Sequence, residues 1–145
     1  MKIRAATKAD LGAIFRLEQA AFGSHGYPDF LFRQLLELWP HFLLVAENEG
    51  VLVGYVLGGM GEAKEQGWIL SLAVDERQRG QGIGKALLQH LCRDLADSGC
   101  PSQRLTVHPD NSAAGLYRAL GFQLETTESD YFGPDEPRQV LLRRG

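Results

Sequence analysis

Residues 77–85, Arg-Gln-Arg-Gly-Gln-Gly-Ile-Gly-Lys, place Gly80, Gly82 and Gly84 at alternate positions directly before a leucine-spaced helix pattern. Glycine lets a backbone curl and approach a ligand closely, with no Cβ in the way. A helix start adds unpaired N–H groups and a partial positive charge. With Arg77, Arg79 and Lys85 around it, such a turn suits a phosphate. Three phosphate patterns compete for it. The P-loop needs G-x-x-x-x-G-K-[ST], but Arg79 stands five before Gly84 and Ala86 follows Lys85, so it fails twice. The dinucleotide fingerprint G-x-G-x-x-G starts at Gly80 and Gly82 but meets Lys85 at its third glycine, so it fails as well. What remains is R-x-x-G-x-G through Arg79, Gly82 and Gly84.

A second stretch, VHPDNSAAGLYRALGF at 107–122, carries an asparagine leading into a helix that ends in L-Y-x-x-x-G-F. Together with the strand WILSLAV before the glycine turn, the two stretches resemble the signatures of the GCN5-related N-acetyltransferase (GNAT) family. The resemblance runs in matching order over nearly the whole chain. It implies a single N-acetyltransferase domain over residues 1–145. It further implies transfer of the acetyl group of acetyl-CoA to a primary amine by direct attack, with acetyl-CoA as cosubstrate and no metal. The alternative function is a CoA-binding sensor or regulatory module without turnover.

The chemistry sets its own demands. An alkyl amine with a pKa of about 10 is protonated at neutral pH and must lose a proton before attack. The developing oxyanion needs N–H donors, and the leaving thiolate needs a proton. A phenol can supply that proton, and the resemblance gives Tyr117 the role. It also gives the pantetheine arm and the acetyl carbonyl to the backbone of Leu72, Ala73 and Val74, much as a peptide adds to a sheet edge. That requires the central strand to splay from the strand at Arg104–Val107. The pyrophosphate falls to Arg79, Gly80, Gln81, Gly82, Ile83, Gly84 and Lys85, and Asn111 meets the cofactor near the second signature.

Three departures bear on the carry-over. Relatives count seven residues from asparagine to tyrosine, whereas Asn111 to Tyr117 is six and Asp110 stands at seven. Either Asp110 takes the position or the helix entrance is tighter. Where relatives carry a catalytic glutamate, this chain has Thr106 on one strand and Trp68 on the other. His108, at the end of the last parallel strand, is the candidate base of suitable pKa. Glu62, Glu65 and a water relay are the others.

These residues need elements to hold them. Period and turn signals predict strand Lys2–Ala5, a helix capped by Thr7 with Asp10 three residues on, and a helix opening at Asp29 and ending at Pro40. Strands Leu43–Glu47 and Val51–Leu57 follow, joined by Asn48-Glu49-Gly50. Gly58-Gly59 and 61–66 are expected in a loop. Next come the apolar strand Trp68–Val74, expected to be buried on both faces, and a helix bearing Leu87, Leu88, Leu91 and Leu95. Strand Arg104–Val107, helix Ala113–Leu120 and strands Phe122–Thr126 and Gln139–Leu142 complete the order. The fold class is α/β: one mixed, mostly antiparallel sheet with a parallel, splayed central pair and helices on both faces.

With 145 residues and a net charge of −3, the chain fits one domain and is no cationic nucleic-acid binder. No apolar run, signal peptide or lipidation motif is evident, so a cytoplasmic protein without a membrane partner is expected. Cys92 and Cys100 form no CxxC and have no histidine cluster, so they read as reduced thiols and no metal site is expected. The acceptor amine, on a small molecule or a peptide, is expected between 22–32 and 128–137. These stretches hold Tyr27, Phe30, Phe32, Tyr131 and Phe132 with Asp29, Glu128, Asp130, Asp135 and Glu136. The loop at Asp130-Tyr131-Phe132 resembles the final hairpin of ribosomal-protein-alanine type N-acetyltransferases. No signal sets an oligomeric state.

Overall fold

The computed structural model describes residues 1–63 and 65–145. In chain order its elements are β1 (Lys2–Ala5), α1 (Leu11–Phe22), α2 (Asp29–Leu38), β2 (Leu43–Asn48), β3 (Val51–Met60), β4 (Gln66–Val74), α3 (Ile83–Asp97), β5 (Ser102–Val107), α4 (Ala114–Ala119), β6 (Gln123–Glu128) and β7 (Arg138–Arg143). The seven strands form one sheet in the order β1-β2-β3-β4-β5-β7-β6. The pair β4–β5 is parallel, and the other neighbours run antiparallel. This is the expected α/β arrangement.

Each face of the sheet is covered by helices whose apolar stripes follow the 3.6-residue period. On one face Leu87, Leu88, Leu91 and Leu95 of α3 are fully buried against Val56, Ile69 and Leu105. On the other, Ile14 of α1 and Phe32, Leu35 and Leu36 of α2 pack on Leu43, Val45, Tyr55 and Leu57. Each such side chain contributes about 1.5–3 kcal/mol by leaving water. The entry to α1 is locked as the Thr7…Asp10 spacing implies. Asp10 accepts from the Thr7 N–H at 2.7 Å and from the Arg4 guanidinium at 2.7 and 3.0 Å.

Gly58 and Gly59 correct the expectation of a loop. Strand β3 continues through both to Met60, because other side chains press on the backbone there. A Cβ at Gly58 would lie 2.8 Å from Leu91 Cδ2, and one at Gly59 would lie 2.7 Å from the Trp39 ring. These glycines mark close approach rather than a turn. Strand β4 likewise departs from full burial. It alternates buried and half-buried residues, because Leu70, Leu72 and Val74 border a cleft.

Candidate functional site

The cleft begins where the sheet comes apart. The β4–β5 ladder runs from Gln66 opposite Ser102 to Ile69 opposite Leu105 and stops there among the described residues. Just at that point Leu57 faces Ser71 while Gly58 faces Ile69, so Leu70 is the extra residue of a bulge. A bulge bends its strand and increases local twist, which carries the end of β4 away from β5. Antiparallel pairs alternate between bonded and open. Because the Asp75 N–H donates to Val53 O at 2.8 Å, Ala73 faces β3, and the peptide groups of Leu72 and Val74 point into the slot. The splay expected from sequence is present, and it leaves a free strand edge.

The slot widens into a cavity of about 1200 Å³. At one end stands the glycine turn. Gly80 and Gly82 have φ of +83° and +79°, a conformation glycine adopts without the penalty of a side chain. A Cβ on either would meet nothing within 4 Å, so the space before the helix is open. The first helical bond runs from Ala86 N to Gly82 O. The N–H groups of Ile83, Gly84 and Lys85 are therefore left to point out of the helix end. Arg79, Gly80, Gly82, Ile83, Gly84 and Lys85 line the cavity, and Gln81 does not. Arg77 lies aside, paired with Asp75 at 3.2 Å. This cradle, with the strand edge beside it, fits a diphosphate joined to a linear amide arm.

From the β5 side come Thr106, His108, Asn111 and Tyr117. Tyr117 is buried, its ring edge-on to Phe122 at 6.0 Å between centroids, and burial pushes its hydroxyl up to about 12. Asn111 lines the cavity, whereas Asp110 is exposed and outside the lining. Asn111 Oδ1 accepts from Ala113 N at 2.8 Å and Asn111 N donates to His108 O at 2.9 Å. His108 Nδ1 accepts from the Asp110 N–H at 3.1 Å, which leaves Nε2 as the nitrogen free for other partners. Trp68 lies outside the lining, and Glu62 and Glu65 are exposed beyond the opposite end of β4. Cys92 and Cys100 are buried away from the cavity.

The far end is framed by the loop after α1 and the loop between β6 and β7. Phe22, His25, Tyr27, Phe132, Asp135, Glu136 and Arg138 line it. Of the aromatics expected there, Tyr27 and Phe132 take part. Phe32 is instead core at 1% exposure, its ring edge-on to Tyr55 at 5.6 Å between centroids, and Phe30 is exposed outside the lining. Tyr131 stacks edge-on to Phe132 at 4.8 Å, and Arg138 sits over Phe132 at 4.9 Å. Asp29, Glu128 and Asp130 do not line the cavity.

Some lining residues went unnoticed in sequence, Glu18 and Ser71 among them. Glu18 of α1 is 2% exposed and reaches the cavity wall. Its Oε2 accepts from Tyr27 N at 2.8 Å, its Oε1 from the Ser71 hydroxyl at 2.7 Å and from the Tyr55 hydroxyl. Burial raises its pKa above the usual carboxylate value, against the opposing pull of the Tyr27 N–H and Ser71. The signal was present: Leu11, Ile14, Glu18 and Ala21 fall on one helical stripe, so a carboxylate occupies a core-facing position. The cavity therefore runs from a cationic end at Arg79 and Lys85 to an end that holds the carboxylates of Glu18, Asp135 and Glu136, the last of them paired with Arg138 at 3.4 Å.

Comparison with known proteins gives this geometry a family. Residues 11–122 match the acetyltransferase (GNAT) family. An uncharacterized N-acetyltransferase of Methanocaldococcus jannaschii is 42% identical over 146 residues, spanning 99% of this chain and 92% of that protein. The crystal structure of Ard1 from Thermoplasma volcanium superposes with a TM-score of 0.91 at 26% identity, covering 99% of this chain and 96% of the other. A ribosomal-protein-alanine N-acetyltransferase from Brucella melitensis superposes with a TM-score of 0.85 at 26% identity over 100% of both chains.

Proposed function

The chain belongs to the acetyltransferase (GNAT) family, is an acetyl-CoA-dependent N-acetyltransferase, and from that premise we propose that its acceptor is the free amino group at the end of a peptide or protein. The observation that carries the reading is the reversal of charge along the cavity. Arg79, Lys85 and the start of α3 suit the pyrophosphate of the acyl donor. The acidic mouth suits an ammonium, and the exposed Phe132 beside it offers an apolar surface to a neighbouring side chain. An amine carried on a chain end uses both. The relative named for a ribosomal-protein alanine supports the same choice.

Each residue then has a task. The amides of Ile83, Gly84 and Lys85 with Arg79 hold the diphosphate, and the free edges of Leu72 and Val74 hold the amide arm. Donors on that edge stand where charge develops on the carbonyl oxygen. Tyr117, protonated at every physiological pH, donates to the departing sulfur, whose thiol has a pKa of about 8.5. His108 and Asn111 border the same reaction space. We take residues 1–145 as one catalytic domain. No helix among the described residues is long and apolar enough to cross a membrane.

CoA release should be followed with a panel of short peptides, the same peptides with blocked N-termini, and small alkyl amines. The expected result is turnover with free N-termini and none with blocked ones. Turnover confined to the small amines would overturn the peptide assignment.

A further inference from the structure

Glu18 sets a carboxylate in the cavity wall at the end proposed for the acceptor ammonium. Removing a carboxylate from water costs several kcal/mol even after relaxation, and three donors from three elements converge on this one. Ser71 links it to the cavity. Its hydroxyl follows the bulged Leu70, precedes the open peptide edge of Leu72, and lines the same cavity. Ser71 Oγ lies 2.7 Å from Glu18 Oε1 and 2.9 Å from the Tyr55 hydroxyl. With both hydroxyl protons given to Glu18, the Ser71 oxygen keeps an acceptor lone pair. Neither Trp68 nor Thr106 supplies a carboxylate from the central strands.

We propose that Ser71 and Glu18 form the base of the reaction: Ser71 Oγ accepts a proton from the acceptor ammonium while passing its own to Glu18 Oε1. The inference rests on the acetyltransferase function above. The balance is simple. The ammonium loses two protons in all. One travels through Ser71 to Glu18 before the N–C bond forms and then leaves to solvent. The other offsets the proton that Tyr117 gives to sulfur as the C–S bond breaks. Ser71 is the group that meets the substrate, and Glu18 acts through it. Around Glu18 the titratable groups are Tyr27 from the loop after α1 and Tyr55 from β3, β4 brings no charged residue, and His25, Asp135 and the Glu136–Arg138 pair line the same end of the cavity. The elevated proton affinity of Glu18 moves it toward the range where a base is effective at neutral pH.

The test is the pH dependence of kcat/KM for wild type, Glu18→Gln, Ser71→Ala, Ser71→Thr and His108→Ala. Two peptide acceptors with well-separated amine pKa values are used. Wild type is expected to reach a plateau that begins at the same pH for both acceptors, below either amine pKa. Glu18→Gln and Ser71→Ala should lose about 10²–10⁴-fold at neutral pH and show a limb that follows each amine. Ser71→Thr keeps the hydroxyl and should keep the plateau. Acetyl-CoA affinity, measured by calorimetry, should stay within a few-fold in all, which separates a relay from a collapsed site. A wild-type limb that tracks the amine, or a plateau that survives Glu18→Gln, overturns the relay and leaves the acetyltransferase function standing. A plateau lost only in His108→Ala also overturns it, in favour of the histidine. Absence of acceptor-dependent CoA release from wild type overturns both.

Discussion

Tyr117 keeps its proton because it is buried, and that is what a donor to a thiolate requires. Tyr117→Phe retains the ring and the Phe122 contact, so acetyl-CoA affinity should hardly change while kcat falls about 10²–10⁴-fold. Single-turnover measurement checks this, and an unchanged chemical step would remove Tyr117 from the reaction. Asp10 shows the opposite use of a charged side chain. The Arg4 guanidinium, followed by the Thr7 N–H and hydroxyl, holds it down at about 2, from 3.8. Its folded pKa lies below the unfolded one, so the stabilisation is complete above about pH 4 and lost as the pH falls toward 2. Asp10→Asn should cost about 2 kcal/mol at pH 7 and flatten that acid limb in urea titrations. Glu18 has the reverse sign: its pKa is raised above 4.5, so the fold loses stabilisation as the pH climbs through the folded value. At this scale the sequence announced Tyr117, Asn111 and the glycines, because their spacing is a local pattern. Glu18 was missed because a glutamate on a helix reads as solvated unless its stripe is followed turn by turn. Its partners, Tyr55 and Ser71, stand 37 and 53 residues away.

Among the elements, the start of α3 is where loop chemistry and helix electrostatics coincide. Gly82 caps the helix in the left-handed region, and an L residue there adds about 1–2 kcal/mol of strain. Gly82→Asp also sets a negative charge before the exposed amides. Calorimetric titration should show at least a tenfold loss of acetyl-CoA affinity, about 1.4 kcal/mol, with the far-ultraviolet spectrum unchanged. Equal affinity would move the diphosphate elsewhere. Element order and type were legible throughout, since the leucine stripe of α3 and the hairpin at Asn48–Gly50 are short-range signals. The extent of β3 was not. Gly58 and Gly59 look like a turn until Leu91 and Trp39 are seen pressing on them, and that is information about packing across the sheet. The same holds for the bulge at Leu70. Nothing local in WILSLAV marks the residue at which β4 turns away, because the partner strands decide it. The mouth proposed for the acceptor was half legible for a similar reason. Phe32 and Phe132 are chemically alike in sequence, but one is sealed on the buried face of α2 and the other stands at the rim.

For the whole molecule, the sheet that holds the fold together is also the sheet that is left unfinished. Seven strands are paired, yet among the described residues β4 and β5 share only four rungs before parting, and the cavity occupies the gap. The cleft collects its lining from α1, β4, α3, β5, α4 and the β6–β7 loop, so the chain must fold as a unit before any of it works. The unpaired edge at Leu72 and Val74 has a further consequence. In the proposed donor site, most of what this edge and the start of α3 would hold, the amide arm and the diphosphate, belongs to the carrier and not to the two-carbon cargo, and is still present when the cargo has gone. Free CoA should therefore bind about as tightly as acetyl-CoA and compete with it directly. Steady-state inhibition by CoA is expected to be competitive against acetyl-CoA, with an inhibition constant within a few-fold of the acetyl-CoA dissociation constant, and a constant a hundredfold weaker would contradict it. An enzyme held to its donor in this way answers to the proportion of charged to spent carrier around it, and far less to the total amount of either.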